Sequence, residues 1–370
     1  MKIPREFDST TRLIIKVGSS TVMRSDTAEL AEALANLRLR GLEIVLVSSG
    51  AVAAGMEMCG VSERPSTVPK LQALAAIGQA RLMGRYQHHL KPHNVDCAQV
   101  LLTHEALATR ANFLNIRDTL RELLSMGVIP VVNENDTVAT EELRFGDNDR
   151  LAAALGSVID ADLVILLSDV DALYEKDPHT HPEAKRIPSI EIDDPFLDTL
   201  SSSTSSQVGT GGMASKVAAA RLCCAGGIGL VVANGENPKV LASILNGDDV
   251  GTYFLPKRER PGRRRQWIAS LSKIHGSIVV DQGAEKALVR GGSSLLAVGV
   301  LKVEGDPSRG SAVRVVTEEG VEIARGLIRY DGQQLRDILG LSTKEVCQKL
   351  NVVAVDPVIH RNDLSLTASN

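Results

Sequence analysis

The segment with the strongest chemical character is Val208-Gly-Thr-Gly-Gly-Met-Ala-Ser-Lys216, which runs into a helical pattern over Val217 to Cys224. Its three glycines let backbone N–H groups come close to an anion. A helix start adds the positive end of its dipole, and Lys216 adds a full charge in the first turn. Such a segment suits a phosphate; the plain alternative is a flexible glycine turn with a solvated lysine. It is not a Walker A loop, because Val217 stands where Ser or Thr must hold Mg²⁺. It is not the dinucleotide fingerprint either, since no strand pattern directly precedes it.

Lys16 closes an apolar run ahead of Gly18-Ser19-Ser20. A lysine at the end of a buried strand is costly unless its charge finds a partner. A phosphate would be one, and snorkelling to solvent is the other outcome. Gly146-Asp147-Asn148-Asp149 opens a helical run, Arg150 to Leu155, with Asp149 at a plausible N-cap. Two lysines converging on phosphates also need a carboxylate to hold them. Asp147 and Asp149 are available for that, or for a metal held through water. Asn133-Glu-Asn-Asp136 and Ser48-Ser49-Gly50-Ala51 supply donors and acceptors suited to the charged groups of an amino acid.

These residues stand at the ends of apolar runs. Leu13 to Ile15, Glu43 to Val47, Val128 to Val132, Leu163 to Leu167 and Ile228 to Val232 read as strands, and Ala28 to Arg40 as a helix with Leu30, Leu34 and Leu37 on one face. Continuous apolar strands alternating with helices predict an α/β fold, a mostly parallel sheet sandwiched by helices. In such sheets ligands bind outside the carboxyl ends of the strands. Turn chemistry alone would also place Gly, Ser, Asn and Asp there.

The chain has 370 residues, 44% hydrophobic and 23% charged, which excludes general disorder and suggests two or more domains. Aromatics are only 3%, which argues against base-stacking platforms. Residues 1–256 carry 23 Lys+Arg and 32 Asp+Glu, residues 257–275 carry 7 and 1, and residues 276–360 carry 10 and 11. The break marks a junction: a domain at 1–256, a basic linker or exposed strap at 257–275 and a second domain at 276–360. In the last, Gly276 to Asp281, Leu295 to Val300 and Ala312 to Val316 read as closely spaced strands of a small β-rich barrel. The strap lacks interleaved aromatics, so a solvated linker or a contact between subunits is favoured over RNA. Ser201 to Ser206 reads as a mobile low-complexity loop.

Cys59, Cys97, Cys223, Cys224 and Cys347 are odd in number and lack metal-ligand spacing, which fits free thiols in a reducing cytoplasm. No signal-peptide pattern opens the chain, and Asp160 and Asp162 interrupt the longest apolar stretch, so no membrane span is expected. The histidines define no triad or metal site, and Met56, Met58 and Met83 read as core filler.

In chain order, Ile-Ile-Lys-Val-Gly-Ser-Ser (14–20), Val-Ser-Ser-Gly-Ala-Val-Ala-Ala-Gly (47–55), Ile-Pro-Val-Val-Asn-Glu-Asn-Asp-Thr-Val (129–138), Phe-Gly-Asp-Asn-Asp (145–149), Leu-Leu-Ser-Asp-Val-Asp-Ala-Leu-Tyr (166–174) and Val-Gly-Thr-Gly-Gly-Met (208–213) resemble the glutamate 5-kinases of the amino-acid kinase family. The tail from Gly276 resembles the PUA domain that many bacterial members append. The resemblance implies ATP-dependent phosphorylation of the side-chain carboxylate of L-glutamate with Mg²⁺, opening proline biosynthesis in the cytoplasm. It implies that Lys16 and Lys216 stabilise the transferring phosphoryl group and that Asp149 orients them. Ser49, Asn133, Asp136 and Asn148 would bind glutamate. Lys16, Ser168, Asp169, Thr210, Gly211, Gly212, Met213, Ala214, Ser215 and Lys216 would contact ATP. Mg²⁺ would ride on the nucleotide phosphates, with no dedicated protein ligands. A homo-oligomer and inhibition by proline follow as family expectations; RNA binding by the PUA-like domain is the disfavoured alternative. Ser201 to Gln207 replaces a stretch that is usually glycine-rich, and Ser stands at 19, 48 and 168 where Thr is common. These departures bear on nucleotide affinity more than on reaction type. Another acceptor, such as acetylglutamate or a nucleoside monophosphate, is the rival within enzymes.

Overall fold

The computed structural model describes residues 7, 9–19, 22, 27–138, 148–178, 180–202, 212–257, 263–270, 272–350 and 356–367. They divide into two units, residues 1–107 with 111–260 and residues 108–110 with 261–370.

Among the described residues the first unit holds ten strands: β1 (Arg12–Val17), β2 (Glu43–Ser48), β3 (Cys97–Leu102), β4 (Ile129–Glu134), β5 (Leu163–Ser168), β6 (Leu173–Tyr174), β7 (Arg186–Ile187), β8 (Ser189–Glu191), β9 (Gly229–Asn234) and β10 (Thr252–Leu255). Eight of them form one sheet in the order β3-β4-β2-β1-β5-β9-β10-β8, while β6 and β7 make a separate hairpin. All pairs in the large sheet are parallel except β9 with β10. The mostly parallel α/β sheet expected from the apolar runs is therefore present. Strands β4 and β5 are buried along their whole length, and β1 and β2 are buried after their first residue. Helices must cover both faces of such strands.

Five helices position the polar strand ends: α1 (Thr27–Leu39), α2 (Ala51–Cys59), α3 (Val68–Leu90), α4 (Asn148–Ile159) and α5 (Met213–Ala225). Every residue of α4 except Arg150 is buried, so it serves as a core element rather than a surface helix. Helices α2 and α3 meet at two glycines. A Cβ on Gly55 would lie 1.9 Å from the Leu74 carbonyl oxygen, and one on Gly78 1.9 Å from the Ala51 carbonyl oxygen. No other residue permits that approach without moving backbone. Gly50, which caps α2, has φ 110°, a left-handed conformation that favours glycine.

The second unit holds β11 (Ile274–Val280), β12 (Val300–Gly305), β13 (Ala312–Val316), β14 (Glu322–Ile328) and β15 (Ile359–Leu366) in one sheet, order β12-β11-β13-β14-β15. It has its own core, which includes Ile278, Val313, Val315, Leu335 and Ile359. The strand expected over Leu295 to Val300 is not formed as one element. Ala297–Gly299 is a 3-10 turn and β12 begins at Val300. Gly299 is the reason this turn can pack, since a Cβ there would fall 2.5 Å from that of Ala284. Within the basic segment 257–275, residues 263–270 form a helix, with Trp267 and Ile268 buried. Residues 258–262 lie outside the described residues, as do 203–206 of the serine-rich stretch. Ser201 and Ser202 close the helix Phe196–Ser202.

Candidate active site

β1 is the central strand, flanked by β2 and β5, and Lys16 is its one charged residue in a buried position. Its ammonium lies 2.6 Å from Asp149 Oδ1. Lys216, from the first turn of α5, places its ammonium 3.4 Å from Asp149 Oδ2. The Ser215 hydroxyl donates to the same Oδ2 at 3.3 Å. All three charged side chains are buried, with relative exposures of 8%, 1% and 4% for Lys16, Asp149 and Lys216. Burial by itself would raise the Asp149 carboxyl pKa. The two ammoniums and their hydrogen bonds outweigh it and hold the pKa below the ordinary value. These three side chains bring two positive charges and one negative charge together out of water, an arrangement suited to receiving an anion.

Asp149 is not the N-cap that its spacing suggested. The helix already begins at Asn148, so Asp149 sits inside the first turn. Its carboxylate spans two lysines instead of closing the helix. Asn148, one residue before, works in the other direction. Its Nδ2 donates to Ser49 Oγ and to Asn133 Oδ1, both at 2.9 Å. The two substrate-type segments at the ends of β2 and β4 are therefore tied to the charged cluster through one helix turn.

Two residues of α3 complete this network, and neither stands out in the sequence by itself. Gln79 Oε1 accepts from Asn133 Nδ2 at 2.9 Å. Tyr86 Oη lies 2.7 Å from Ser48 Oγ, and Ser48 in turn donates to the Ser49 carbonyl at 3.1 Å. The signal was present: Gln79 interrupts the buried stripe Leu71, Leu74, Ala75, Gly78, Leu82, Met83, where a polar side chain needs a partner.

Asp136 is half-buried beyond β4 and lines a cavity of about 230 Å³ with Gln79, Gln99 and Glu134. Burial pushes its carboxyl up to about 6, with Arg64 acting the other way. At the end of β5, the Ser168 hydroxyl donates to Asp169 Oδ1 at 2.8 Å. Burial opposes ionisation of Asp169. That bond, backbone N–H groups and the charge of Lys216 nonetheless hold its pKa below the usual value. Gly212 caps α5 without a side-chain cap, and Met213, Ala214 and Ser215 form its first turn, partly open to solvent. Thr210, Gly211 and Asp147 lie outside the described residues. Among the described residues no three His, Cys, Asp or Glu side chains gather to hold a metal ion, and no helix is long and apolar enough to cross a membrane.

The amino acid kinase family matches residues 11–234 and the PUA domain matches residues 276–350. Among curated proteins, the chain is 45% identical over 364 residues to a glutamate 5-kinase of Thermus thermophilus, covering 97% of this chain and 98% of that one. It is 42% identical over 360 residues to a glutamate 5-kinase of a Thermoanaerobacter species, covering 95% and 97%. Among solved structures, a carbamate kinase from Giardia lamblia bound to AMP-PNP superposes with a TM-score of 0.48 at 14% identity, over 67% of this chain and 99% of that one.

Proposed function

The chain belongs to the amino acid kinase family and carries a PUA domain, and we propose that it transfers the γ-phosphoryl group of ATP to the side-chain carboxylate of L-glutamate. The products are ADP and L-glutamyl 5-phosphate, which makes this the opening step of proline biosynthesis. The observation that carries the reading is the buried pair of ammoniums on one carboxylate, in a chain 42–45% identical over nearly its full length to proteins named glutamate 5-kinase.

A carboxylate oxygen of glutamate attacks the γ-phosphorus in line, a new P–O bond forms, and the bond to the β-phosphate oxygen breaks. Little covalent work falls to the protein, so catalysis is positioning and charge stabilisation. Lys16 and Lys216 hold the phosphoryl oxygens as negative charge shifts toward the leaving ADP. Asp149 keeps two mutually repelling ammoniums pointed at one place without cancelling their combined charge. Ser49, Asn133, Asn148 and Asp136 hold glutamate. Ser168, Asp169, Thr210, Gly211, Gly212 and the start of α5 from Met213 to Lys216 take the nucleotide, where the backbone N–H groups of a helix start favour phosphate. Mg²⁺ would be held by the nucleotide phosphates and would offset their charge, because both Asp149 oxygens already face lysines.

Residues 1–256 form the catalytic domain in this reading, 257–275 the basic junction and 276–360 the PUA domain. Self-association, inhibition by proline and a cytoplasmic setting come with the family resemblance, and free thiols such as buried Cys223 and Cys224 fit a reducing compartment. The test is trapping by hydroxylamine. Glutamate, ATP and hydroxylamine should yield the hydroxamate with this protein. Faster phosphorylation of acetylglutamate or a nucleoside monophosphate than of glutamate would refute the assignment.

A further inference from the structure

Gln79 does more than fill a place in the core. The residue is 8% exposed, and its side-chain amide has two ends with different fates. Oε1 accepts the Asn133 amide, which fixes the orientation of Asn133: Nδ2 must face α3, and Oδ1 is left for Asn148 Nδ2 and the Glu134 backbone N–H. Nε2 is buried and has no hydrogen-bond partner among the described residues. A desolvated amide N–H pair without an acceptor is unfavourable, and native structures keep few of them. The same residue lines the cavity of about 230 Å³ beside Asp136.

The surroundings leave Gln79 little freedom to turn away. Its neighbour Gly78 packs so tightly on α2 that a Cβ there would lie 1.9 Å from the Ala51 carbonyl oxygen and 2.3 Å from the Gly55 nitrogen. Further along α3, Tyr86 is tied to Ser48. The helix is thus pinned on both sides of Gln79. The cavity lining combines the carboxylates of Glu134 and Asp136 with the amides of Gln79 and Gln99. Carboxylates attract an ammonium, while a carboxylate ligand needs N–H donors. An α-amino acid carries both groups on one carbon.

We propose that Gln79 is a substrate-binding residue whose Nε2 donates to the α-carboxylate of the amino-acid acceptor, while its Oε1 positions Asn133. This rests on the reading of the acceptor as glutamate and adds to it the group that recognises the end of the molecule that does not react.

Steady-state kinetics of the full chain with Gln79→Met and Gln79→Glu test it. Met keeps the length and removes both polar ends. Glu keeps the acceptor for Asn133 and replaces the donor by a charge that repels a carboxylate. Both variants should raise KM for glutamate about 10- to 100-fold, the range for losing one hydrogen bond to a charged group. KM for ATP should stay within about twofold, since Gln79 does not border the lysine cluster. A wild-type KM for glutamate in Gln79→Glu would overturn the direct contact and leave only the hold on Asn133. Equal increases in both KM values, with matching loss of kcat, would mean a structural role and overturn the proposal. Melting curves accompany the kinetics. If Gln79→Met fails to fold, the near-isosteric Gln79→Glu decides alone. Should the wild type phosphorylate a different acid, the functional reading falls first, and the same variants are then compared on that acceptor.

Discussion

The Lys16 ammonium lies 2.6 Å from Asp149 Oδ1, with both side chains buried where the carboxyl end of β1 meets the first turn of α4. Lys216 occupies the other oxygen of the same carboxylate. In the function proposed above, the lysines act on the phosphoryl group and the aspartate acts on the lysines.

Replacing either lysine removes charge stabilisation that matters most in the transition state. Lys216→Ala and Lys16→Ala should each lower kcat by on the order of 10²- to 10³-fold in the hydroxamate assay. Stability should not fall in parallel, because each variant relieves repulsion between two buried cations. An unchanged or raised urea midpoint alongside the lost activity is the expected result; a variant that is inactive because it is unfolded would contradict it.

Asp149→Asn should behave differently. It removes the carboxylate that two buried ammoniums share, and breaking a buried ion pair typically costs about 3–5 kcal/mol. Both kcat and the denaturation midpoint should drop. The pH dependence follows from the lowered pKa. Stability from this carboxylate is fully present above its unfolded value of about 3.9 and is lost as pH falls through the lower folded value. The gap between wild type and Asp149→Asn should therefore close only in strongly acidic buffer, as read from urea melts across pH.

Asp136 has the opposite sign. Its pKa is raised to about 6, chiefly by burial. The folded state holds this proton more tightly than the unfolded chain, so the group favours folding at low pH and that contribution is lost as pH rises from about 4 to 6. An ammonium on the ligand needs the ionised form. KM for glutamate should fall as pH rises through about 6, and Asp136→Asn should remove that inflection while raising KM at neutral pH. An inflection that survives in Asp136→Asn would assign the titration to another group.

The glycine contact between α2 and α3 gives a prediction about packing. Gly78→Ala would place a methyl group 1.9 Å from the Ala51 carbonyl oxygen, so the helices must separate. Overpacking of this kind costs about 1–3 kcal/mol. Because Gln79 and Ala51 both move, the loss of stability should come with a higher KM for glutamate and little change in KM for ATP. Loss of stability without the KM effect would uncouple this contact from the site.

Most of the elements are legible in the residues themselves. Uninterrupted apolar runs such as Leu163 to Leu167 specify buried strands because both faces must be covered, and the α/β alternation follows. The Gly-Gly-Met-Ala-Ser-Lys run announces a helix start with a cation in its first turn, and α5 begins there. The strand expected at Leu295 to Val300 fails because an apolar run with glycine can also turn, and local sequence does not decide which.

What the amino-acid order determined alone was local: periodicity and turn chemistry act over a few residues, so they mark strands, helix starts and the polar ends of strands. Which of those ends face one another was decided by the order β4-β2-β1-β5 across the sheet, a pairing that joins segments remote from each other in the chain. That pairing turned Asp149 from an expected helix cap into the bridge between Lys16 and Lys216, and brought Gln79 from the buried stripe of α3 onto Asn133. Burial is the physical reason. A charge or an amide removed from water must take whatever partner the packed chain brings within reach, and only the tertiary structure supplies that partner.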